Sequence, residues 1–238
     1  MIAIITQARV NSTRLPNKIF KRAGGISFLQ HHISRLRQTG LPVIIATTND
    51  GSERPIVEFC RDNNIPVFCG DENNVLKRYY ECAREFGVTT VIRVTSDCPL
   101  IDPDIIIKGV KEYSEQPLNT YYSNTTVRSY PRGMDYEIFS FNLLAEAFNK
   151  AVDAGDREHV TPYIWKNKAG NVILKSDVNA EDNSHFRITL DTGEDQELLT
   201  RLIEEHRAEK LDCKSIVQIL KDHPELPEIN SMIEQKKI

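Results

Sequence analysis

The sequence has no apolar run near the roughly 18 residues that a membrane-spanning helix requires, no C-x-x-C pair, no internal repeat and no low-complexity stretch. The first absence excludes an α-helical membrane span. The opening Met1–Thr6 run is too short for a secretory signal and soon meets Arg9, so the chain is expected in the cytoplasm. Without paired cysteines, zinc fingers, iron–sulfur clusters and thioredoxin-like redox chemistry lack their spacing. Cys60, Cys69, Cys82, Cys98 and Cys213 are expected to be free thiols. Cys98 sits beside Asp97 with no nearby histidine to activate it, and reads as a wall residue. Excess positive charge is also missing: 30 Lys and Arg against 34 Asp and Glu give a net charge of -4, which excludes a generally basic nucleic-acid binder.

What is present is an ordinary globular composition, 40% hydrophobic and 27% charged over 238 residues, enough for one α/β domain with a small appendage. Ile2–Thr6, Val43–Thr47, Val67–Cys69 and Val91–Val94 read as strands buried on both faces. Helical patterns separate them at Ser27–Thr39, Ser52–Asn63 and Asn73–Phe86, the last closed by Gly87. This alternation predicts a parallel sheet with right-handed crossovers, sandwiched by helices. Pro103–Glu115 then reads as a helix, followed by a polar stretch through Asn124. Tyr136–Phe141 alternates like a strand, and Leu143–Ala154 and Glu158–Asn167 read as helices. Val172–Ser176 and Phe186–Leu190 read as strands, Glu194–Glu209 and Lys214–Lys221 as helices. Residues 119–180 are expected to form a lobe or arm for substrate or dimer contacts, and Asp222–Ile238 a loosely packed tail.

The densest chemistry follows the first strand, in Gln7-Ala8-Arg9-Val10-Asn11-Ser12-Thr13-Arg14-Leu15-Pro16-Asn17-Lys18. Ligands of open parallel sheets bind outside the carboxyl ends of the strands. Three cations, the Ser12 and Thr13 hydroxyls and an amide at that position suit a polyphosphate. The loop matches neither G-x-x-x-x-G-K-[ST] nor G-x-G-x-x-G, which argues against P-loop NTPases and dinucleotide-binding domains. A second group, Thr95-Ser96-Asp97-Cys98-Pro99, ends the fourth strand. There a carboxylate is placed to bind a hard cation bridging to phosphates, and Ser96 borders the same site. Asp102 before Pro103 reads as a helix cap. A third group, Arg187–Asp195, ends a strand at Asp191 and puts Glu194 and Asp195 in the first turn of a helix, where its dipole accounts for both.

Asp135 and Glu137 share one face of the Tyr136–Phe141 strand. They read either as acceptors for sugar hydroxyls or an amine, or a base, or else as an exposed strand face or carboxylates paired to an arginine. Asp156 reads as a cap of the following helix, and His159 as structural or substrate-facing.

The segment A-R-x-x-S-T-R-L-P-x-K resembles the nucleotidyltransferase loop of cytidylyltransferases, closely that of 3-deoxy-manno-octulosonate cytidylyltransferase and more loosely that of acylneuraminate cytidylyltransferase. Asn17 departs from it, since those relatives often carry Gly there. V-L-x-R-Y-Y at Val75–Tyr80, G-M-D-x-E-x-F at Gly133–Phe139 and R-E-H-V-T-P-Y at Arg157–Tyr163 resemble the spore coat polysaccharide biosynthesis protein F branch of that family. The resemblance runs from Ile2 to about Leu199. It implies a Rossmann-like, GT-A-type fold and a homodimer through the middle stretch, with which Tyr121, Tyr122, Tyr130 and Phe139 are compatible. It implies that Arg9, Ser12, Arg14 and Lys18 hold CTP phosphates and that Ala8 lines the cytidine pocket. It further implies that Asp71 and Arg78 face the nucleotide and that Asp97 and Asp191 bind Mg²⁺. Arg157 and His159 join Asp135 and Glu137 as acceptor candidates.

The leading expectation is CMP transfer from CTP to an acidic sugar with release of pyrophosphate, in which Arg9, Lys18, Asp97 and Asp191 are catalytic. A GT-A glycosyltransferase would place a D-x-D pair where Ser96-Asp97-Cys98 supplies one carboxylate. A non-catalytic nucleotide sensor would have little use for the retained Arg9, Lys18, Asp97 and Asp191.

Overall fold

Strand β1 (Ile2–Gln7) is buried on both faces because its side chains alternate between two helical layers: Ile4 packs in one core, Ala3 and Ile5 in the other. The computed structural model describes residues 1–234. After β1 come a short hairpin, β2 (Arg22–Ala23) and β3 (Ile26–Ser27), and helix α1 (Phe28–Arg37), whose Ser27 cap accepts from Gln30 N. Next are β4 (Val43–Thr48), α2 (Arg54–Asp62), β5 (Val67–Gly70), α3 (Val75–Glu85), β6 (Thr90–Thr95) and α4 (Pro103–Ser114). Asp102 caps α4 by accepting from Asp104 N, as expected. The second half adds β7 (Thr120–Ser123), β8 (Glu137–Ser140), α5 (Phe141–Lys150), α6 (Ala154–His159), α7 (Pro162–Trp165) and β9 (Ile173–Ser176). Helices α8 (Gly193–His206), α9 (Cys213–Asp222) and α10 (Glu225–Glu228) close the described chain.

The seven-stranded sheet has the order β5-β4-β1-β6-β8-β7-β9. Only β8 runs antiparallel to the rest. Helices α1, α2, α4, α8 and α9 bury their apolar sides on one face, and α3, α5 and α7 on the other. From β1 the chain winds outward through β4 and β5, then returns to the opposite side of β1 with β6. That reversal lies between β1 and β6, where a doubly wound sheet opens a crevice for a ligand.

The middle region differs from its expected form. Residues 119–180 carry three strands of the main sheet rather than standing beside it. The polar stretch before Asn124 contains β7, all four residues buried. The hydroxyl of Tyr121 donates to Glu137 and that of Tyr122 to Glu112, each at 2.5 Å, so both tyrosines keep their hydroxyls partnered. Tyr121, Tyr122, Tyr130 and Phe139 are therefore core residues and offer no dimer surface. The expected helix Leu143–Ala154 stops at Lys150. The Glu158–Asn167 pattern breaks at Val160, whose φ of 72° ends α6 before Pro162 opens α7. Asp156 does not cap α6; Asp153 holds that position, while buried Asp156 accepts from Lys168 Nζ at 2.7 Å.

Phe186–Leu190 is extended yet forms only one bridge, Arg132 to Arg187, rather than a strand. The tail also departs from expectation up to residue 234. Leu226 is fully buried, and Asn230 Nδ2 donates to Arg187 O at 3.0 Å and to Asp195 Oδ1 at 2.8 Å. The last four residues of that expectation, 235–238, lie outside the described ones. Replacing Asn230 with Ala leaves the buried Arg187 carbonyl and the Asp195 carboxylate short of a donor. It should lower the unfolding free energy by about 1–3 kcal/mol in urea titration.

Candidate active site

Gln7 and Thr95 are register partners, so the loops that leave β1 and β6 start side by side. Ala8 prolongs β1 by donating its N–H to Ala46 O and is buried. Buried Leu15 and Ile19 then pin the loop, leaving Arg9, Thr13 and Arg14 exposed and Ser12 half-buried. Asn17 takes φ 54° and ψ 28° and opens the single turn Lys18–Phe20. Left-handed backbone favours Gly and, after it, Asn. The departure at Asn17 thus keeps the turn that a glycine would make.

Lys18 leaves that turn and reaches two carboxylates. Its Nζ lies 3.3 Å from Asp97 Oδ2 and 2.7 Å from Asp191 Oδ1. Arg14 Nη2 is 3.3 Å, and Arg187 Nη2 3.2 Å, from Asp191 Oδ2. The two aspartates, remote in sequence, meet because Leu190 N and the Thr189 hydroxyl both donate to Asp97 O, at 2.8 and 3.0 Å. Asp195 secures the second of them: its carboxylate accepts from Asp191 N, completes a capping box with Thr192, and pairs twice with Arg187 at 2.8 Å.

Burial would raise the Asp97 carboxyl, but the Lys18 charge and hydrogen bonds from the Thr95 hydroxyl and Lys18 outweigh it and hold the group at about 2. Burial would likewise lower Lys18, while Asp97 and Asp191 together carry its value above the ordinary one. Carboxylate oxygens are the ligands that hard cations take, and two carboxylates converge here on Lys18 Nζ. Among the described residues no group of three or more His, Cys, Asp or Glu could hold a metal. A metal here would therefore depend on this pair and the phosphates.

Arg78, expected to face the nucleotide, is buried, donates from Nη1 to Asp71 O at 2.7 Å, and leaves Nε without a partner among the described residues. Burial lowers its pKa, and the charge of Arg9 lowers it further, which brings those two cations into one neighbourhood. The Asp71 carboxylate, by contrast, accepts from the Asn73 and Asn74 N–H groups, each at 3.0 Å, so its role is to shape the turn before α3. Ser96 is buried where the sheet reverses and donates its N–H to Gln7 O.

A cleft of about 920 Å³ extends from Asp97 and Asp191 over β6 and β8. Cys98 is in its wall, with the thiol pushed well up by burial and by Asp97. Asp135 and Glu137 both line it, and both are ion-paired. Asp135 takes a two-pronged bond from Arg128, at 2.7 and 2.9 Å. Glu137 pairs with Arg93 and accepts from the Tyr121 and Thr161 hydroxyls. His159 lines the cleft as well. Arg157 does not: it is exposed, and its Nε donates to Ala151 O. Three cleft arginines escaped the sequence reading, Arg93, Arg128 and Arg132. Only Arg93 left a trace there, as a charge inside an otherwise apolar strand.

A doubly wound sheet with a basic loop and two converging aspartates at its reversal point defines a nucleotidyltransferase. A family profile described as Cytidylyltransferase matches residues 3–236, and the chain belongs to that family. The spore coat polysaccharide biosynthesis protein SpsF of Bacillus subtilis is 29% identical over 210 residues, covering 84% of this chain and 85% of that one. A 3-deoxy-manno-octulosonate cytidylyltransferase of Geobacter sulfurreducens is 28% identical over 118 residues, 49% of this chain and 46% of its own. The solved structure of a cytidylyltransferase from Leptospira borgpetersenii superposes with a TM-score of 0.90 at 30% identity, covering 98% of this chain and 99% of that one. Among the described residues no helix is long and apolar enough to cross a membrane.

The depressed Asp97 value has a thermodynamic consequence. Relative to an unfolded carboxyl near 3.8, its ion pair stabilises the fold fully above about pH 4 and is lost as pH falls towards 2. The difference in unfolding free energy between wild type and Asp97→Asn should be flat from about pH 5 to 8 and close below pH 4, as read by urea titration at each pH.

Proposed function

We propose that this chain transfers CMP from CTP to an acidic sugar of the nonulosonic-acid type, releasing pyrophosphate, for a surface or spore-coat polysaccharide. The observation that carries the reading is the Lys18 ammonium shared by Asp97 and Asp191 where the basic loop meets the cleft. In this mechanism Arg9, Ser12, Thr13, Arg14 and Lys18 hold the triphosphate, while Ala8, Ser96 and Arg78 line the nucleotide pocket beside the turn at Asp71. Mg²⁺, bound by Asp97 and Asp191 together with phosphate oxygens, would supply neutralising charge. A sugar hydroxyl in the cleft attacks the α-phosphorus in line. The new P–O bond forms as the bond to the bridging oxygen of the β-phosphate breaks, the hydroxyl proton passes to solvent, and pyrophosphate leaves. Positioning and fixed charge supply the acceleration, with no covalent protein intermediate.

The acidic nature of the acceptor is supported by Arg132. Arg93 and Arg128 are already paired with Glu137 and Asp135. Arg132 lines the cleft half-buried and has no ion pair among the described residues. Burial and the charge of Arg128 lower its pKa, Asp135 opposes them in part, and Arg187 lowers it a little further; a guanidinium among more cations than it has carboxylate partners suits an incoming carboxylate. The names of the relatives, one in polysaccharide biosynthesis and one acting on 3-deoxy-manno-octulosonate, support the same class. A cytoplasmic location and a homodimeric state belong to this reading.

Pyrophosphate release from CTP and Mg²⁺ with a panel of nonulosonic acids tests the proposal. Turnover with at least one acid is expected, and Asp97→Ala, Asp191→Ala or Lys18→Ala should each cost about 10²–10³ in rate. No turnover with any acid, together with no CTP-induced thermal shift, would overturn it. Arg132→Ala should raise KM for the sugar acid about tenfold or more and leave KM for CTP nearly unchanged, as steady-state kinetics with each substrate varied would read.

A further inference from the structure

Beneath the paired aspartates lies an imidazole that none of the loop motifs includes. His32, on α1, is fully buried. Its Nδ1 is 2.8 Å from Cys98 O, and its Nε2 2.9 Å from Thr6 Oγ1. A carbonyl can only accept, so Nδ1 carries the proton and donates; Nε2 is left to accept from the Thr6 hydroxyl. Thr6 is itself fully buried and stands just before Ala8, where the basic loop leaves β1. Cys98 immediately follows Asp97 and closes the turn at the end of β6 by donating its N–H to Thr95 O. One neutral side chain therefore joins the strand that carries the phosphate loop to the turn that carries Asp97.

Two peptide carbonyls of that turn, those of Asp97 and Cys98, take donors from other segments. Asp97 O is held by Leu190 and Thr189, and Cys98 O by His32 and by Ile101 N. Neighbouring His31 is buried as well, but its Nε2 reaches Ala23 O on the β2–β3 hairpin, away from Asp97. The two adjacent histidines thus separate a brace of the hairpin from a brace of the site.

We propose that His32 is a positioning residue for Asp97, fixing its carboxylate against Lys18 and the phosphate loop through the Cys98 carbonyl and the Thr6 hydroxyl. The proposal rests on the cytidylyltransferase reading for its catalytic consequence, and on the geometry alone for its structural one. Outer partners of this kind are worth about 10–100-fold in metal affinity or activity.

The test uses the full chain in three variants. His32→Gln can still donate to Cys98 O and accept from Thr6; His32→Phe fills the space and does neither; His31→Phe controls for a purely structural loss. Mn²⁺ binding in the presence of CTP is followed by water-proton relaxation, and the fold by circular dichroism. For folded His32→Phe the Mn²⁺ concentration at half-saturation should rise about tenfold or more. In His32→Gln it should stay within about threefold of wild type, and in His31→Phe it should not move. Equal impairment of the Gln and Phe variants, or an unmoved midpoint in the Phe variant, overturns the proposal. If wild type itself binds no Mn²⁺ with CTP, the cytidylyltransferase reading fails. Crystal structures of the variants then still decide the positioning role. The Asp97 Oδ2 to Lys18 Nζ separation of 3.3 Å should be kept with Gln and lost with Phe, and its survival in Phe refutes the role. If His32→Phe does not fold, the Gln variant and a His32→Leu variant provide the same comparison.

Discussion

A single ammonium group between two carboxylates organises this molecule. Asp97 and Asp191 would repel each other in a partly buried site unless a cation lay between them, and Lys18 supplies that cation from a third segment. To deliver it, the chain must end two strands together, bring an extended segment across them and turn the loop after β1 inward at Asn17. The sheet order accomplishes the first, the hydrogen bonds to Asp97 O the second, and a left-handed residue the third. Each of these is a backbone feature, so strand order, one main-chain pairing and one left-handed residue set the geometry of the site.

Much of this was legible in the sequence because buried parallel strands write themselves as apolar runs. Ile2–Thr6, Val43–Thr47, Val67–Cys69 and Val91–Val94 all lie within strands of the sheet, although β5 is an edge strand whose Cys69 is exposed rather than buried as expected. Asp97 was legible for a related reason, since a carboxylate after such a run has few structural excuses, whereas Asp191 was marked by the family resemblance. Their convergence could not be read, since it depends on long-range hydrogen bonds from Thr189 and Leu190.

The second half was harder, and the reasons are particular. In β7 two tyrosines sit between Thr120 and Ser123, a composition that reads as polar, yet their hydroxyls find Glu137 and Glu112. Glu137 looked like a substrate ligand from its strand face alone; its pairing with Arg93 follows from the β6–β8 register, in which the two residues are opposite one another. The tail looked detachable by composition, but Asn230 is wired to the same Asp195 that steadies Asp191. Cross-strand and end-to-core pairings of this sort carry no periodicity, so local pattern does not reveal them.

The lone reversed strand has a wider meaning. Because β8 descends while its neighbours ascend, its first residues rather than its last arrive at the rim where Lys18, Asp97 and Asp191 meet. In the proposed reaction, groups facing the acceptor thus come from the region entering β8, and those facing CTP from the exits of β1 and β6. Genetic drift in the former can reshape the sugar pocket while leaving the latter untouched. The architecture is in this sense modular, a constant activating half joined to a replaceable selecting half, and paralogues should diverge most between Thr125 and Glu137.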